Sequence, residues 1–151
     1  MDLISLQKVD ESNFIACFDL KLGEGQEKFV SHPVRSLAQA YVYYKQCTPF
    51  AVCCGGEVVG YVMVIYDCDE ETYNIWHLMI DKAHQGEGYG RAAMKLALAY
   101  IRTKPFGDSN RVLLTVNPEN HAACGLYRTL GFSETGRSDE DEIELGLSID
   151  H

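Results

Sequence analysis

The sequence has few features of a secreted, metal-binding or membrane-spanning protein. Its six cysteines form no CxxC pair and its five histidines are not spaced as ligand pairs, so we expect reduced thiols and no metal. The longest apolar runs, such as residues 58–66, are far too short to cross a bilayer, so no membrane partner is expected. Met1 to Lys8 lacks a basic stretch followed by a long apolar one, which predicts no signal peptide and a cytoplasmic location.

Basic residues are also scarce. The chain has 13 Lys and Arg against 22 Asp and Glu, which gives a formal net charge of −9. This charge argues against nucleic acid, because the phosphates of a nucleic acid would be repelled. It permits a cationic partner, although an acidic surface that only keeps the protein soluble accounts for the charge as well.

Strand and helix patterns alternate along the 151 residues, which fit one domain over 1–151. Strands are predicted at 3–9, 49–54, 58–66, 73–81, 111–116, 132–137 and 143–149, and helices at 11–22, 36–46, 88–103 and 120–130. The unit at 73–116 is strand–helix–strand, which joins two parallel strands, whereas hairpins are predicted for 49–66 and 132–149. The fold class is therefore α/β or α+β with a mixed sheet.

Residues 84–94 read HQGEGYGRAAM and place three glycines between a strand and a helix. Glycine lets the backbone approach an anion closely, and the helix start offers free N–H groups, so this context favours phosphate binding. A P-loop needs Lys and then Ser or Thr after its last glycine, and Arg91-Ala92 fails that test. A dinucleotide fingerprint starting at Gly86 would need glycine at 91. A kinase glycine loop lies between two strands and fails on context.

The pattern that remains is (Gln/Arg)-x-x-Gly-x-(Gly/Ala), which Gln85, Gly88 and Gly90 fill. Downstream, NHAACGLYRTLGF matches Asn-x-x-Ala-x-x-Leu-Tyr followed by Gly-Phe. With the run LMIDKAHQGEGYG, these motifs resemble the Gcn5-related N-acetyltransferase (GNAT) superfamily over residues 50 to the end. The resemblance implies a mostly antiparallel sheet with a central, splayed parallel strand pair flanked by helices. It also implies acetyl transfer from acetyl-coenzyme A (acetyl-CoA) to a primary amine by direct attack.

The resemblance also implies which residues contact acetyl-CoA. Backbone N–H groups of Met79 and Ile80 would bind the pantetheine arm or the thioester oxygen, and Asn120 would contact the same arm, although it also suits a helix N-cap. Glu87 departs from the expected chemistry, and we expect its side chain to point to solvent. The cofactor set is Met79, Ile80, Gln85, Gly86, Glu87, Gly88, Tyr89, Gly90, Arg91, Asn120 and Tyr127.

Two residues are candidates for proton transfer. The resemblance makes Tyr127 the general acid, since a phenol can protonate a departing thiolate while staying neutral at pH 7. An ammonium must lose a proton before its nitrogen can attack, and His77 is the candidate base by residue type. A packed strand histidine is the alternative for His77, as a packed aromatic is for Tyr127.

The acceptor is less clearly indicated. Residues 24–44, which include SLAQAY, resemble the N-terminal part of bacterial spermine/spermidine acetyltransferase-like members of this superfamily. Carboxylates and aromatic faces suit a polycation, so Glu24, Glu27, Tyr41 and Tyr44 are candidate substrate-binding residues. A polyamine or diamine is the first expectation, and another small amine, an antibiotic, a protein amine, or a coenzyme-A-binding regulator without catalysis stay open. A homodimer is possible on the same resemblance.

Overall fold

The computed structural model describes residues 3–29 and 32–149, without the side chain of Glu27. Its strands are β1 (Ile4–Lys8), β2 (Cys47–Cys54), β3 (Glu57–Asp67), β4 (Thr72–Ile80), β5 (Arg111–Val116), β6 (Ser133–Asp139) and β7 (Glu142–Ser148). Its helices are α1 (Phe14–Phe18), α2 (Pro33–Val42), α3 (Tyr89–Arg102) and α4 (His121–Thr129), with short 3-10 turns at Gln26–Lys28 and Lys82–His84. The element order agrees with the one predicted from the sequence.

The described strands form one sheet in the order β1-β2-β3-β4-β5-β7-β6. The pair β4–β5 is parallel, and its register comprises only Tyr73 with Val112 and Asn74 with Leu113. The other neighbouring pairs are antiparallel. The predicted mixed sheet with a splayed parallel pair is therefore confirmed, and β4 and β5 separate after their second paired residue.

The first two helices differ from their predicted ranges. The carboxylate of Asp10 accepts hydrogen bonds from the backbone and hydroxyl of Ser12, and Asn13 accepts one from the Asp10 N–H. These local bonds compete with helix formation, so α1 begins three residues later than predicted, at Phe14. Conversely, α2 begins early because His32 caps it and Pro33 fits the first helical position.

Two apolar clusters lie against the sheet. The larger one includes Met94, Ala97 and Ile101 of α3 and Cys124 of α4. The second contains Cys17 of α1 and Ala40 of α2. Because each cluster secures one pair of helices to the sheet, the separated ends of β4 and β5 lie between fixed walls. No helix in the described ranges is both long enough and apolar enough to cross a bilayer.

Candidate active site

A cavity of about 750 Å³ opens where β4 and β5 separate. Its floor comprises Ile75 to Ile80 of β4 and Leu114 to Asn117 at the end of β5. The start of α3 and one face of α4 form its walls. It gathers ten of the eleven predicted cofactor residues: Met79, Ile80, Gln85, Gly86, Gly88, Tyr89, Gly90, Arg91, Asn120 and Tyr127.

The glycine stretch turns its backbone toward open space at the start of α3. Gly86 and Gly88 have φ values of 84° and 83°, in the left-handed region that favours glycine. A Cβ added at either position would meet no protein atom within 4 Å. Gly88 is the N-cap of α3 and supplies no side chain, so the first-turn N–H groups have no side-chain cap at that residue. This is the arrangement that an anion at a helix N-terminus requires.

Side chains next to the glycines hold this loop in place. The Gln85 amide donates to the Ile80 carbonyl at 2.9 Å and to Gln26 Oε1 at 2.8 Å, and Gly23 N–H donates to the same Gln26 oxygen at 2.8 Å. Glu87 is exposed and does not line the cavity, as its departure from the pattern predicted. The Gln85 side chain therefore ties the loop to the segment between α1 and α2.

Asn120 and Tyr127 lie on one face of α4. The Asn120 side chain caps the helix by accepting from the Ala123 N–H at 3.4 Å, and it also lines the cavity. Burial, reinforced by Cys124 and then Glu142, raises the pKa of the Tyr127 phenol to about 12. Tyr127 is therefore protonated throughout the physiological range, and it lines the cavity.

His77 stands at a bulge in β4. The register moves from Tyr61 opposite Met79 to Met63 opposite Trp76, so one extra residue is inserted in β4. His77 adopts φ 62° there, and its Nδ1 is buried without a hydrogen-bond partner among the described residues. Burial, with Arg35 as a second cause, lowers the pKa of His77 to about 4. The imidazole is consequently neutral at pH 7.

A second cavity, the polar recess, adjoins the first. It has a volume of about 440 Å³. The residues lining it are Lys28, Arg35, Gln39, His77, Asn117, Asp139, Glu140, Asp141 and Glu142. Gln39, His77, Asn117 and Glu142 line both cavities, so the two spaces meet at these side chains.

The model for the acetyltransferase (GNAT) family matches residues 14–132. The chain belongs to this family, and it is an acetyltransferase. A probable spermine N(1)-acetyltransferase of Bacillus subtilis subsp. natto is 27% identical over 144 residues, which are 90% of this chain and 91% of that one. An L-2,4-diaminobutyric acid acetyltransferase of Halomonas elongata is 27% identical over 107 residues, 66% of this chain and 54% of that enzyme.

A solved GNAT structure has the same fold. The spermidine N-acetyltransferase from Vibrio cholerae, in complex with CoA and spermine, superposes with a TM-score of 0.75 at 20% identity. The superposition covers 96% of this chain and 95% of that one. The likeness extends over nearly the whole of both chains, so the two proteins share one fold.

The GNAT cavities do not include the predicted acceptor residues. Glu24 is exposed, Tyr41 and Tyr44 are 81% and 67% exposed, and none of the three lines either cavity. On α2, Arg35 and Gln39 are four residues apart and share the face toward the recess, whereas Tyr41 is two residues further and points away. The side chain of Glu27 lies outside the described residues.

Sequence reasoning missed several residues where the two cavities meet. Gln39, Asn117 and Glu142 line both cavities and Arg35 lines the recess. They come from three separate segments, which are α2, the end of β5 and the start of β7, and no sequence spacing links these segments. One signal was present for Glu142, because residues 139–144 read DEDEIE and precede an alternating strand. An acidic run at the start of a strand next to the predicted cleft would have marked that hairpin as a candidate acceptor wall.

Proposed function

We propose that this protein transfers an acetyl group from acetyl-CoA to a small primary amine, with polyamines and diamines as the first acceptor class. The observation that carries the proposal is that the cleft lined by Tyr127 shares four lining residues with a polar recess. The cleft with the glycine stretch and Tyr127 opens directly into the polar recess. A thioester entering from one side and an amine from the other would meet beside Tyr127.

The glycine stretch fits the phosphates of acetyl-CoA. Its backbone faces open space at Gly86 and Gly88, and α3 begins without a side-chain cap. Arg91 lines the same cavity and is fixed by donating to Thr129 Oγ1 at 2.7 Å. Backbone donors, the helix start and one guanidinium together favour a pyrophosphate.

Tyr127 and His77 take the two proton-transfer roles in this proposal. The reaction forms a C–N bond and breaks a C–S bond, so the acceptor ammonium loses two protons in all. Tyr127 gives its phenolic proton to the departing sulfur and regains one, and the other proton leaves to solvent. Neutral His77 can relay the amine proton, although a pKa of about 4 makes it a weak base. The N–H groups of Met79 and Ile80 are the proposed donors to the thioester arm.

The charges of the recess support a cationic acceptor. Asp139, Glu140, Asp141 and Glu142 contribute four carboxylates to its lining. A second candidate is an amine that also carries a carboxylate, such as a diamino acid, because Lys28 and Arg35 line the same recess. The Halomonas relative, named for such an acceptor, agrees with this alternative.

A panel assay tests the proposal. Spermine, spermidine, putrescine, lysine and 2,4-diaminobutyrate are each incubated with acetyl-CoA and the enzyme, and free thiol release is followed. We expect the di- and polyamines to give the highest kcat/KM. Preference for diaminobutyrate would favour the second candidate, and no thiol release with any amine would contradict amine acetylation.

A further inference from the structure

Among the four carboxylates that line the recess, Glu142 is the one that also reaches the cleft. It lines both the cleft and the polar recess, and it is half-buried. We propose that Glu142 binds the acceptor's reacting ammonium beside Tyr127 and that the recess beyond it holds the rest of the acceptor. This inference rests on the proposed function and names a residue that determines its specificity.

The backbone around Glu142 fixes where its carboxylate points. Glu142 is the first residue of β7, and the next residue, Ile143, pairs with Val116 at the end of β5. Its Oε1 accepts a hydrogen bond from Thr115 Oγ1 at 3.0 Å. The carboxylate is thus held against the strand that forms the cleft floor, with its second oxygen available to a ligand.

Surface ion pairs hold the β6–β7 hairpin that carries Glu142. Arg137 on β6 donates to Glu144 on β7 at 2.7 Å and 2.9 Å, and to Glu70 before β4 at 2.7 Å. These bonds join β6, β7 and the β3–β4 turn at the surface. These bonds therefore hold the β6–β7 hairpin, and with it Glu142, in a fixed position relative to the sheet.

Glu142 also lacks a cation of its own. Across residues 3–29 and 32–149, no Lys, Arg or His lies within ion-pair distance of its carboxylate. His77, which faces the same junction, is neutral at pH 7. A half-buried carboxylate without a counter-ion favours a ligand cation, since pairing offsets the cost of its burial.

Tyr127 shows that the carboxylate is near the reacting position. Glu142 is one of the charges that raise the pKa of the Tyr127 phenol. An ammonium bound to Glu142 would therefore lie next to the proton donor, and its charge would partly cancel that effect. Substrate binding would then make Tyr127 a better acid at the moment it is needed.

The test compares Glu142→Gln with Asp69→Asn. The amide oxygen of the introduced glutamine can still accept from Thr115 Oγ1, so this substitution removes the charge and keeps the hydrogen bond. Asp69 is exposed in the turn before β4, away from the strand end that lines the cleft, and its substitution removes one negative charge elsewhere. Steady-state rates with varied amine give kcat and KM, and calorimetry gives the Kd of spermidine in the presence of CoA.

We expect Glu142→Gln to raise KM and Kd for spermidine by roughly tenfold to a hundredfold, with KM for acetyl-CoA unchanged and Asp69→Asn like wild type. Equal spermidine Kd in wild type and Glu142→Gln, or no spermidine binding to wild type, would overturn the inference. If wild type binds spermidine through Glu142 but releases no thiol, the proposed function fails and the binding role stands.

Repeating the assay with 2,4-diaminobutyrate separates the two acceptor classes. Binding of either acceptor should weaken when the Glu142 carboxylate is lost, and only binding of the diamino acid should also depend on Arg35.

Discussion

The two sides of the cleft are built from different kinds of atoms. On the acetyl-CoA side, backbone groups carry most of the proposed phosphate contacts, with glycines at φ 84° and 83°, an uncapped helix start and one side chain, Arg91. On the acceptor side, side chains do so, and Arg35, His77 and Glu142 arrive from three distant segments. The first side can be built by a short run of sequence, whereas the second exists only after the whole sheet has folded.

Tyr127 lines the cleft close enough to Glu142 for that carboxylate to raise the pKa of its phenol, and its loss should have the largest effect. Tyr127→Phe removes the proposed proton donor and keeps the ring, so kcat should fall by about ten- to ten-thousand-fold while CoA affinity stays unchanged. Tyr100→Phe is the matched control. It also removes one phenolic hydroxyl, but that hydroxyl is hydrogen-bonded to Thr48 and lies outside the cleft. Equal kcat values for Tyr127→Phe and wild type would exclude the acid role.

The same contrast explains what could be predicted from the sequence. Gln85, Gly88 and Gly90 are three letters of one six-residue pattern, and Asn120 and Tyr127 fall on one helix face, so local spacing was enough. The order of helices and strands along the chain followed from the periodicity of each element, and the parallel strand pair followed from the crossover at 73–116. These features depend on neighbours in the chain, which a single sequence does display.

The acceptor side could not be predicted in the same way. The bulge that turns His77 into the junction depends on the pairing of β3 with β4, and periodicity predicts no extra residue there. Helix α2 begins at Pro33 rather than Ser36, and the face it turns to the recess carries Arg35 and Gln39. Tertiary register decides these placements, so a resemblance at residues 24–44 pointed to other side chains.

The acceptor side should also be the pH-sensitive one. His77 has a pKa of about 4 in the folded protein against 6.5 when exposed. Between those values the unfolded chain binds a proton that the folded one does not, so stability falls as pH decreases through this window. The loss attributable to His77 approaches about 3 kcal/mol by pH 4.

His77→Asn isolates this contribution. Asparagine tolerates the left-handed φ of 62° and does not titrate, so the difference between the two proteins reports the titration of His77. Urea unfolding between pH 4 and pH 7 should show wild type losing more stability than the variant toward low pH. Parallel curves would mean that the burial of His77 has no effect on its protonation.

On the acetyl-CoA side, Gly88→Val can be compared with Gly56→Val. Both glycines have positive φ, 83° and 88°, and a Cβ at either would meet nothing within 4 Å. The backbone strain is therefore matched, while only Gly88 faces the cleft. We expect similar losses in Tm for both and a CoA affinity weaker by tenfold or more, on the order of 1.5–3 kcal/mol, only for Gly88→Val. Normal CoA binding by Gly88→Val, measured by calorimetry, would refute the pyrophosphate assignment.

The smallest expected effect concerns the link between the two sides. Gln26 accepts hydrogen bonds from Gly23 and Gln85, and so ties the segment that carries Lys28 into the recess to the glycine stretch. Gln26→Ala removes these two hydrogen bonds, and we expect it to weaken amine binding by about 1 kcal/mol, which corresponds to a few-fold rise in KM for the amine. Gln7→Ala on β1 removes the same side chain from an exposed site and serves as the control. Because Gln85 keeps its bond to the Ile80 carbonyl, CoA affinity should hold. A variant in which CoA affinity falls and amine KM does not would show that the segment supports the acetyl-CoA side instead.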